Sequence, residues 1–580
     1  MNKRRNCLIV LACIVLLCAS AFAACVMPPI DLGEHTHIFV GRYLFDDTYH
    51  WQTCICGEEQ INPHDLGDWI VVKQPTSNET GLKKATCKTC GYEKQSVLSS
   101  LLDGDKTVDM YAINDFHGVT ERIAPIGGYL KQAKQNNPNT VLINSGDMFQ
   151  GSLESNANFG HMLGDCMDEI GFDSFTFGNH EFDWGTDKVK ELVESTNTPF
   201  LGANIYKWDS EKRVFGEFAD DIAKQYVVTT LPNGVKVGII GVIGKDQITS
   251  ICSDKVADIG FKNPIEVIPS LANKLRADEG CHVVVVSIHA PAETLFNADG
   301  FNIDDYADAV FCAHSHEVER AMTSGGTPFL QGGSKGQMIS HIRLNIAAEE
   351  VNCNLYENIN FSYAWNNDNN VQTIVDKYIA KLEVSADTEI AVADQKMASD
   401  GEVPRLACRA MAEYAVSQGH DIVLALCNYG RTFIDAGTIT YGELYKALPF
   451  DNTVYIAEVT GANLLSLCRY GNFIWRVSGE QVVNDSGHVY KIAVIDYVLM
   501  HQNSDRMYDK TYSAFQSGRM KPIALTKADG SAYNYREMTR DFLMRQDLAG
   551  NTIAAELYNG KNVYTNTSLV GSSVTLSPLQ

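Results

Sequence analysis

Side chains that can bind metal ions follow five apolar segments of the chain, each close to the point where the segment ends. They are Asp115 and His117 after "VDMYAIN", Asp147 after "TVLINSG", Asn179 after "FTFG", His289 after "VVVVSI", and His314 and His316 after "VFCA". A single histidine is commonly a core or surface residue, but carboxylate, amide and imidazole groups at five segment ends indicate a functional site. This mixture of ligands favours a borderline transition metal over magnesium, which prefers carboxylates and water.

The number of these side chains is suited to two metal ions. Asp147 can bridge the ions, because a carboxylate offers one oxygen atom to each of them. Two ions about 3.5–4 Å apart hold a hydroxide and clamp the oxygens of a phosphoryl group. We therefore expect a site for two divalent ions of the zinc, manganese or cobalt type, acting on a phosphate ester.

Strands must position these side chains, and the chain has suitable runs between residues 105 and 350. The runs apolar enough for strands buried on both faces are "VDMYAI", "TVLIN", "FDSFTF", "VKVGIIGVI", "HVVVVSI" and "DAVFCA". Helical segments separate them, which predicts an α/β domain over 105–360. In such a domain, ligands bind at the carboxyl ends of the strands.

A second domain is expected after this one. In "NNVQTIVDKYIAKL", the apolar residues recur at helical spacing; they are Val371, Ile374, Val375, Tyr378, Ile379 and Leu382. This pattern predicts an amphipathic linker helix over 366–394. Residues 395–575 mix strand and helix patterns, which predicts an α+β domain.

Five motifs resemble those of a known family. The blocks "NDFHG", "SGDMFQGS", "GNHEFDWG", "IHAP" and "AHSHE" resemble the calcineurin-like metallophosphoesterases, in the order and spacing of the 5′-nucleotidase family and its bacterial UDP-sugar hydrolase branch. The resemblance implies a four-layer α/β sandwich and a C-terminal substrate-specificity domain. It implies one ion on Asp115, His117, Asp147 and His316, and a second ion on Asp147, Asn179, His289 and His314. The family's usual glycine before "HSH" is Ala313 here, which is small enough to fit.

His180 and Asp183 are the candidate catalytic residues. The resemblance implies that Asn179 is a neutral metal ligand and that His180 faces the substrate. Asp183 follows three residues later and would orient the imidazole, as a carboxylate does in catalytic dyads. His180 would then steady the phosphoryl charge or protonate the leaving oxygen, whereas Glu181 is expected to be structural.

The C-terminal domain is expected to bind the group esterified to the phosphate. Its segment "AGTITYGELYKALPFDNTVYIAEVTGANL" resembles the family's specificity domain, in which two aromatic rings stack on a nucleobase. The matching candidates are Phe450 and Tyr497 for the base, Asp505 for the ribose, Arg431 for a phosphate or carboxylate, and Asn428. Stacking contributes roughly 1–3 kcal/mol per base. Packing in the core is the alternative role for both aromatic residues.

This domain also departs from the family pattern. The asparagine that usually contacts the base falls on Leu426, and Asn428 lies near enough in sequence to replace it. The usual Gly-Gly-Asp loop reads Asn-Ser-Asp and ends at Asp505, and the other family arginines find weak matches in Arg405 and Arg409. The sequence therefore supports phosphoester hydrolysis better than it supports a particular esterified group.

Residues 1–25 have the basic start, apolar run and small residues of a secretory signal. Cleavage after Ala23 would release the protein, whereas lipidation of Cys25 in the imperfect lipobox "FAAC" would anchor it to a membrane. In either case we expect an exported protein at the cell surface, outside the cell or in the periplasm.

Residues 26–100 form a separate Cys/His module in which a pattern of His, Trp and paired Cys occurs twice. One structural zinc ion is expected on the two cysteine pairs, Cys54 with Cys56 and Cys87 with Cys90, and His50 or His64 competes for a position. Disulfides or idle thiols are the alternatives. The module resembles small repeats on surface proteins of Gram-positive bacteria, which suggests attachment or display.

The composition of the chain excludes some classes of partner. Its 580 residues carry a net charge of −24, which would repel a nucleic-acid backbone, so no nucleic-acid polymer is expected as a partner. The chain has 16 cysteines, and those from Cys166 to Cys468 are scattered singly, many in apolar runs. This spacing predicts buried free thiols rather than a disulfide framework.

These features predict an exported hydrolase of phosphoric ester bonds that converts nucleoside 5′-monophosphates to nucleoside and phosphate. The alternatives on the same scaffold are a 2′,3′-cyclic nucleotide phosphodiesterase and a nucleotide-sugar hydrolase. The alternative of another class is a surface adhesion protein without turnover, which the complete set of ligands disfavours.

Overall fold

The structure is a computed structural model, and it describes most of the chain. The described residues are 37–73, 81–98, 106–209, 212, 214–296, 300–346, 350–469, 472–478, 480–500, 521–559, 563–564 and 568–570. The expected signal segment with Cys25 and the expected ribose-binding Asp505 lie outside the described residues. The chain divides into two compact units, a smaller one over Met1–Gln74, Gly81–Val97 and Ala298–Phe301 and a larger one over Pro75–Thr80, Leu98–Asn297 and Asn302–Gln580.

The smaller unit consists of short strands. They are β1 (Leu44–Phe45), β2 (Tyr49–Thr53), β3 (Glu59–Pro63), β4 (Ile70–Lys73), β5 (Gly81–Thr86) and β6 (Glu93–Leu98). They form two three-stranded sheets with the orders β1-β2-β3 and β4-β5-β6. Each copy of the repeated pattern therefore folds as one sheet, and its cysteine pair follows the middle strand.

The first half of the larger unit alternates strands and helices. Its strands are β7 (Lys106–Ile113), β8 (Thr140–Asn144), β9 (Ser174–Thr176), β10 (Phe200–Leu201), β11 (Ile205–Asp209), β12 (Val214–Phe218), β13 (Tyr226–Thr230), β14 (Lys236–Ile243), β15 (Ile259–Phe261), β16 (Val283–His289), β17 (Ala309–Phe311), β18 (Val318–Met322), β19 (Pro328–Gly332), β20 (Met338–Ile346) and β21 (Val351–Asn360). Its helices are α1 (Thr120–Asn136), α2 (Leu153–Asn156), α3 (His161–Ile170), α4 (Thr186–Ser195), α5 (Pro264–Ala277), α6 (Glu293–Phe296) and α7 (Asn369–Ile379).

Two six-stranded sheets pack face to face in this half. One has the order β10-β9-β8-β7-β20-β21 and the other the order β13-β14-β16-β17-β19-β18. Apolar side chains of both sheets, among them Val108, Ile143, Val237 and Val285, share one buried cluster. Helices α1, α3 and α7 pack on the other face of the first sheet, and α5 packs on β14 and β16. The four-layer α/β sandwich that the resemblance implied is confirmed.

The predicted strand runs all form strands, but they belong to two sheets. Strands β7, β8 and β9 lie in the first sheet, and β14, β16 and β17 lie in the second. Within each sheet these three strands are parallel, so their carboxyl ends lie at one edge. The runs are apolar throughout because one face of each sheet meets the other sheet and the opposite face meets helices.

The second half of the larger unit has the predicted α+β character. Its strands are β22 (Glu389–Ala393), β23 (Leu424–Cys427), β24 (Gly437–Thr440), β25 (Val454–Thr460), β26 (Phe473–Arg476), β27 (Val482–Val483), β28 (Val489–Ile495), β29 (Ile523–Ala524), β30 (Val563–Tyr564) and β31 (Ser568–Val570). Its helices are α8 (Glu402–Ser417), α9 (Tyr441–Ala447), α10 (Gly461–Arg469), α11 (Asp496–Leu499) and α12 (Tyr535–Leu548). The central sheet has the order β26-β23-β28-β25-β29, and its residues share a buried cluster with α8 and α12.

The helix between the two halves is shorter than its apolar pattern. It begins after Asp368, whose carboxylate accepts the first free backbone N–H groups, and it ends at Ile379. Val371 and Val375 are buried against the sandwich, whereas Leu382 lies beyond the helix and contacts the core of the C-terminal half. The apolar pattern therefore extends beyond the helix, because Leu382, its last residue, packs on the core of the C-terminal half rather than on the sandwich.

Two further properties concern the described part of the chain. None of its helices is both long enough and apolar enough to cross a membrane. Its cysteines form no disulfide within the described residues, and those from Cys166 to Cys468 are buried except for the half-buried Cys353. The scattered spacing of these cysteines predicted this.

Candidate functional site

The predicted metal ligands meet where the carboxyl ends of the two sheets come together. The first sheet supplies those after β7, β8 and β9, and the second supplies those at the ends of β16 and β17. Together with His180, six of them form three overlapping groups whose ligand atoms lie within 4.8 Å of one another: Asp115–His117–His316, His117–Asp147–His180 and Asp147–His289–His314. Oδ1 of Asn179 lies 2.9 Å from Nδ1 of His314. Asp147 therefore lies between two sets of candidate ligands.

The turns that carry these residues have strained backbones. Five of the seven candidate ligands have positive φ angles, between 47° and 77°; they are Asp115, His117, Asp147, His314 and His316. Residues other than glycine avoid this left-handed region, and each costs about 1–3 kcal/mol, so such residues persist where the surroundings impose them. Ala313, which replaces the family's glycine, is not among the positive-φ residues. The concentration of strain at the ligands marks this edge as functional.

Glu181 holds the ligand turns in place. Its buried carboxylate accepts hydrogen bonds from the backbone N–H groups of Asp147, Met148 and Gly178, at 3.0, 2.9 and 2.7 Å. A Cβ atom at Gly178 would collide with the carboxylate of Asp147, which explains the glycine in "GNHEFD". Glu181 therefore has the structural role expected of it.

Two histidines are oriented by backbone carbonyl groups. Nδ1 of His289 lies 2.8 Å from the carbonyl oxygen of Ser145, and Nδ1 of His117 lies 3.3 Å from that of Gln150. A carbonyl oxygen can only accept, so each Nδ1 carries the proton and each Nε2 keeps its lone pair. Histidines that bind metal ions are commonly fixed in this way.

The lone pairs that result are suited to cations. Nε2 of His289 is buried without a hydrogen-bond partner among the described residues and lies 3.3 Å from Oδ2 of Asp147. Nε2 of His117 lies 3.0 Å from Nε2 of His316. Two imidazole nitrogens bound at nearly right angles to one ion, at about 2.0–2.1 Å, are about 3 Å apart. The residues present therefore fit divalent cations on both sides of Asp147.

His180 lies beside this cluster with a carboxylate behind it. Its Nδ1 is 2.8 Å from Oδ2 of Asp183, and its Nε2 is 4.0 Å from Oδ2 of Asp147. Burial opposes protonation of the ring, but the carboxylates of Asp183 and Asp147 outweigh burial and raise the pKa of His180 above its ordinary value. This geometry suits a ring that Asp183 orients and that presents Nε2 to a bound phosphoryl group.

An aromatic ring of the C-terminal half covers His180. The ring of Phe450 stacks on the imidazole, with centroids 5.4 Å apart and an angle of 25° between the planes. The guanidinium carbon of Arg431 lies 4.9 Å from the centre of the Phe450 ring. Phe450 also contacts the C-terminal core, where its side chain is only partly buried. Phe450 and Arg431 are thus brought to the candidate catalytic pair.

The turn that carries Phe450 is hydrogen-bonded to the sandwich. The carbonyl oxygen of Pro449 accepts hydrogen bonds from Nε2 of Gln150 and Nδ2 of Asn156, both at 3.0 Å. Both amide side chains are buried and follow the ligand turn of Asp147. The position of Phe450 is therefore coupled to the loop that carries the bridging ligand.

Arg536 holds the same turn from within the C-terminal half. This buried side chain donates hydrogen bonds to the carbonyl oxygens of Leu448 and Phe450, at 3.2 and 3.0 Å, and forms an ion pair with Asp451. Nε1 of Trp184, from the "GNHEFDW" motif, donates to Oδ2 of Asp451 at 3.2 Å. Side chains of both halves thus fix the turn before and after Phe450.

A cavity of about 470 Å³ lies beside this turn. Residues of both halves line it, including Asp183, Trp184, Tyr445, Asp451 and Arg536. Its size is within the range of pockets that bind small molecules.

Other predicted substrate residues have different surroundings. Tyr497 lies in α11, and its hydroxyl is 3.5 Å from the carbonyl oxygen of Thr249. Leu426 is fully buried in β23 and offers no polar atom. Asn428 follows that strand, and its side-chain oxygen is buried without a hydrogen-bond partner among the described residues. Asn428 is therefore the better candidate for the amide that the family pattern places at Leu426.

The weak arginine matches are used inside the C-terminal half. Arg405 donates to the carbonyl oxygens of Gly401 and Tyr558, at 3.1 and 3.2 Å. Arg409 donates at 2.9 Å both to the carboxylate of Glu413 and to the hydroxyl of Tyr558. Of the three arginines considered from sequence, Arg431 is the one beside His180 and Phe450.

Lys335 is a candidate functional residue that the sequence analysis did not identify. Its backbone N–H donates to the carbonyl oxygen of Asp115 at 2.7 Å, and its φ angle is 54°. Burial lowers the pKa of Lys335, and the nearby cations Lys446, Arg431 and Arg122 lower it further. The sequence did contain a signal for Lys335, because the segment "GGSKG" lies at the end of β19. Strand β19 is parallel to β17 and ends at the same edge of the sheet as the candidate ligands.

In the smaller unit, the four cysteines expected to share one zinc ion are not brought together. Cys87 and Cys90 lie with His50 and His64, whereas Cys54 and Cys56 lie with His37. The reason is that each cysteine pair follows the middle strand of its own sheet. The two histidines named as competitors take the places expected for Cys54 and Cys56.

Comparison with known proteins agrees with this geometry. Residues 110–318 match the calcineurin-like phosphoesterase model, and residues 379–472 match the model of the 5′-nucleotidase C-terminal domain. The chain therefore contains a calcineurin-like phosphoesterase domain followed by a 5′-nucleotidase C-terminal domain. Both domains are those of phosphoesterase hydrolases, so the chain is a hydrolase of phosphoric esters.

The relatives that match this chain have different names and lengths. Apyrase of Tabanus yao is 25% identical over 441 residues, which cover 64% of this chain and 76% of the apyrase. Endonuclease YhcR of Bacillus subtilis (strain 168) is 26% identical over 398 residues, which cover 63% of this chain and 30% of YhcR. The crystal structure of a 5′-nucleotidase precursor from Thermus thermophilus has the same fold, with a TM-score of 0.60 and 18% identity over 77% of this chain and 99% of that chain.

Proposed function

We propose that this protein hydrolyses nucleoside 5′-monophosphates to nucleoside and phosphate. The position of Phe450 carries the proposal. Its ring belongs to the C-terminal half, yet it stacks on His180 beside the ligand cluster, with centroids 5.4 Å apart. A nucleobase binds to such a ring by stacking, which contributes roughly 1–3 kcal/mol.

Two divalent ions of the zinc, manganese or cobalt type are part of the proposal. Asp115, His117, Asp147 and His316 would hold one ion, and Asp147, Asn179, His289 and His314 would hold the other. When bound, such a pair supplies Lewis-acid polarisation of a phosphoryl group and a nucleophile at neutral pH.

The chain's own residues complete the reaction. The carboxylate of Asp183 accepts a hydrogen bond from Nδ1–H of His180 and so fixes the ring, which then donates from Nε2 to a phosphoryl oxygen or to the leaving oxygen. Arg431 and Lys335 add positive charge next to the same site, which favours an anionic substrate.

A phosphate-release assay on the purified protein tests this proposal. The protein is loaded with Mn²⁺, Co²⁺ or Zn²⁺ and compared with its His180→Asn variant on nucleoside 5′-monophosphates, 2′,3′-cyclic nucleotides, UDP-glucose and p-nitrophenyl phosphate. We expect the highest kcat/KM on a nucleoside 5′-monophosphate, together with loss of turnover in the variant. A preference for cyclic nucleotides would assign the alternative phosphodiesterase activity, and no release from any substrate would favour the adhesion alternative.

A nucleotide sugar is the second candidate substrate. The observation in its favour is the group of cations around Lys335, namely Lys446, Arg431 and Arg122. Such a group suits a diphosphate better than a single phosphate, because each added phosphate brings further negative charge. In the same assay, a higher kcat/KM on UDP-glucose than on UMP would select this candidate.

We also propose that the protein is exported. The support is the order of basic, apolar and small residues at 1–25. Mass spectrometry of the mature protein should find an N-terminus after Ala23 or a lipidated Cys25. An intact segment 1–25 in the protein from its native cell would contradict export by this signal.

A further inference from the structure

The Cys/His module contains its own cluster of metal-ligating groups. The ligand atoms of His50, His64, Cys87 and Cys90 all lie within 4.8 Å of one another. The histidines come from the first sheet, in β2 and directly after β3, whereas both cysteines follow β5 of the second sheet. The cluster therefore joins the two copies of the internal repeat.

Distances within the cluster match those around a tetrahedral ion. Sγ of Cys90 lies 3.3 Å from Nδ1 of His64, and Sγ of Cys87 lies 3.8 Å from Nδ1 of His50. Zinc binds sulfur at about 2.3 Å and imidazole nitrogen at about 2.0–2.1 Å, which places the two atoms about 3.6 Å apart in a tetrahedral site. Both observed distances are within about 0.3 Å of this value.

The ring of His64 is already oriented for such a site. Its Nε2 lies 2.9 Å from the carbonyl oxygen of Asp46, so Nε2 carries the proton and Nδ1 presents its lone pair toward Cys90. The ring also stacks on Tyr92, with centroids 4.3 Å apart and 15° between the planes. The edge-on ring of Tyr43 packs at 5.0 Å from the ring of His50. Contacts of this kind fix the histidine ligands of metal ions.

The module has almost no apolar interior in its described part. Over 37–73 and 81–95, the buried residues are His50, Cys54, Gly81, Ala85 and Cys87. Apolar side chains of its strands, such as Ile61 and Ile70, are exposed. A unit of this size without a hydrophobic core needs a disulfide, a metal ion or a partner subunit to remain folded.

We propose that His50, His64, Cys87 and Cys90 bind one structural zinc ion, which ties the two sheets of the module together. Four protein ligands close the coordination sphere, as in structural zinc sites, and leave no position for a substrate. The two thiolates distinguish this site from the catalytic cluster, which offers oxygen and nitrogen ligands. Cys54 and Cys56 are not ligands of this ion.

Cobalt substitution of the full-length, reduced protein tests the proposal. Thiolate-bound Co²⁺ absorbs in the near ultraviolet through charge transfer from sulfur to the metal, whereas Co²⁺ at the catalytic cluster has no thiolate ligand. We expect a thiolate band that depends on Cys87 and Cys90, and we expect Zn²⁺ to displace the Co²⁺ with loss of this band. Absence of the band in the wild-type protein would overturn the proposal, and a disulfide found between Cys87 and Cys90 would overturn it as well.

Paired variants locate the ligands. The double variant Cys87→Ser/Cys90→Ser should lose the charge-transfer band of this site, whereas the matched double variant Cys54→Ser/Cys56→Ser should keep that band. The substitution Cys90→His keeps four ligands with one thiolate, so the band should fall to about half while the ion is retained. Hydrolysis of p-nitrophenyl phosphate reports whether the larger unit of each variant is folded. Complete loss of the band in the Cys54/Cys56 variant, or its survival at full intensity without Cys87 and Cys90, would assign the ion to other ligands.

Discussion

The metal cluster and the substrate pocket of the larger unit are built in different ways, although they meet at His180. Most of the candidate ligands lie on strained turns at the ends of parallel strands. The carboxylate of Glu181 holds these turns by accepting hydrogen bonds from their backbone N–H groups. Phe450 stands on a turn that is held by side chains distant in sequence, such as Gln150 and Arg536. Motifs of a few residues therefore encode the cluster, whereas the pocket depends on how the two halves pack.

The largest expected effect concerns the residue on which the cluster depends. Asp147→Asn should abolish hydrolysis and remove both ions, because Asp147 belongs to ligand groups on both sides of the cluster. Metal content and phosphate release measured on the same preparation check this. The matched control is Asp168→Asn, since Asp168 binds the turn at Asn197 and Thr198 and lies in none of the ligand groups. Wild-type turnover with two bound ions in Asp147→Asn would contradict the dinuclear site.

A smaller loss is expected when the ligands are kept and His180 is changed. His180→Asn should lower kcat by about 10²–10⁴-fold, as for a positioned acid, with the metal content near normal. Asp183→Asn should give a smaller loss in the same direction, because it removes the carboxylate 2.8 Å from Nδ1 but leaves the ring. Kinetics and elemental analysis separate the two effects. Loss of an ion from His180→Asn would show that His180 is a ligand, as its place in one ligand group allows.

The difference between local motifs and long-range packing also explains which features could be predicted from the sequence. The apolar runs predicted six strands, and the polar residues after them predicted the ligand edge, because both depend on local pattern. The assignment of the runs to two sheets was not predicted, since the strands of both sheets are equally apolar and nothing local records which strand is the neighbour. The family resemblance implied a four-layer sandwich but did not say which run belongs to which sheet.

Long-range contacts account for what was missed. Lys335 follows β19, whose run is less apolar than the others, and its neighbours Arg122, Arg431 and Lys446 are distant in sequence. The zinc ligands were predicted from the two cysteine pairs, but each pair belongs to its own sheet, and His50 and His64 join Cys87 and Cys90 instead. Neither pairing could be derived from spacing, because both depend on how separate elements fold against each other.

Truncation of the aromatic residues tests the pocket. Phe450→Ala should raise KM for a nucleoside 5′-monophosphate about tenfold to a hundredfold, the loss of one stacked face. Tyr497→Ala should have a similar effect if its ring forms the opposite face. The change in kcat/KM on p-nitrophenyl phosphate should be smaller, because this ester needs the metal ions and His180 but no base-binding ring.

A control for this truncation is available in the same half. Phe433 is 49% exposed, so Phe433→Ala should leave KM for both substrates unchanged. Thermal melts of the three variants distinguish lost stacking from lost packing. Equal losses on both substrates, or a large fall in melting temperature with no change in KM, would assign Phe450 or Tyr497 to the core.

The smallest expected effect tests whether the turn of Phe450 is held from the metal side as well. Trp184→Phe keeps an aromatic ring but removes the Nε1–H that donates to Asp451 at 3.2 Å. Asp451 keeps its ion pair with the buried Arg536, so a single hydrogen bond is lost, worth about 0.5–1.5 kcal/mol, or about a twofold to tenfold rise in KM for the nucleotide. The value of kcat on p-nitrophenyl phosphate should not change, because His180, Asp183 and the ligands are untouched. Trp365→Phe is the matched control, since Trp365 stacks on Tyr129 with centroids 4.3 Å apart and does not contact the turn. If Trp184→Phe and Trp365→Phe have the same effect on KM, the turn is positioned by Arg536 and Gln150 without help from the "GNHEFDW" motif. If Trp184→Phe alone raises KM, the motif that supplies the catalytic histidine also positions the substrate ring, and the two regions are coupled through Asp451.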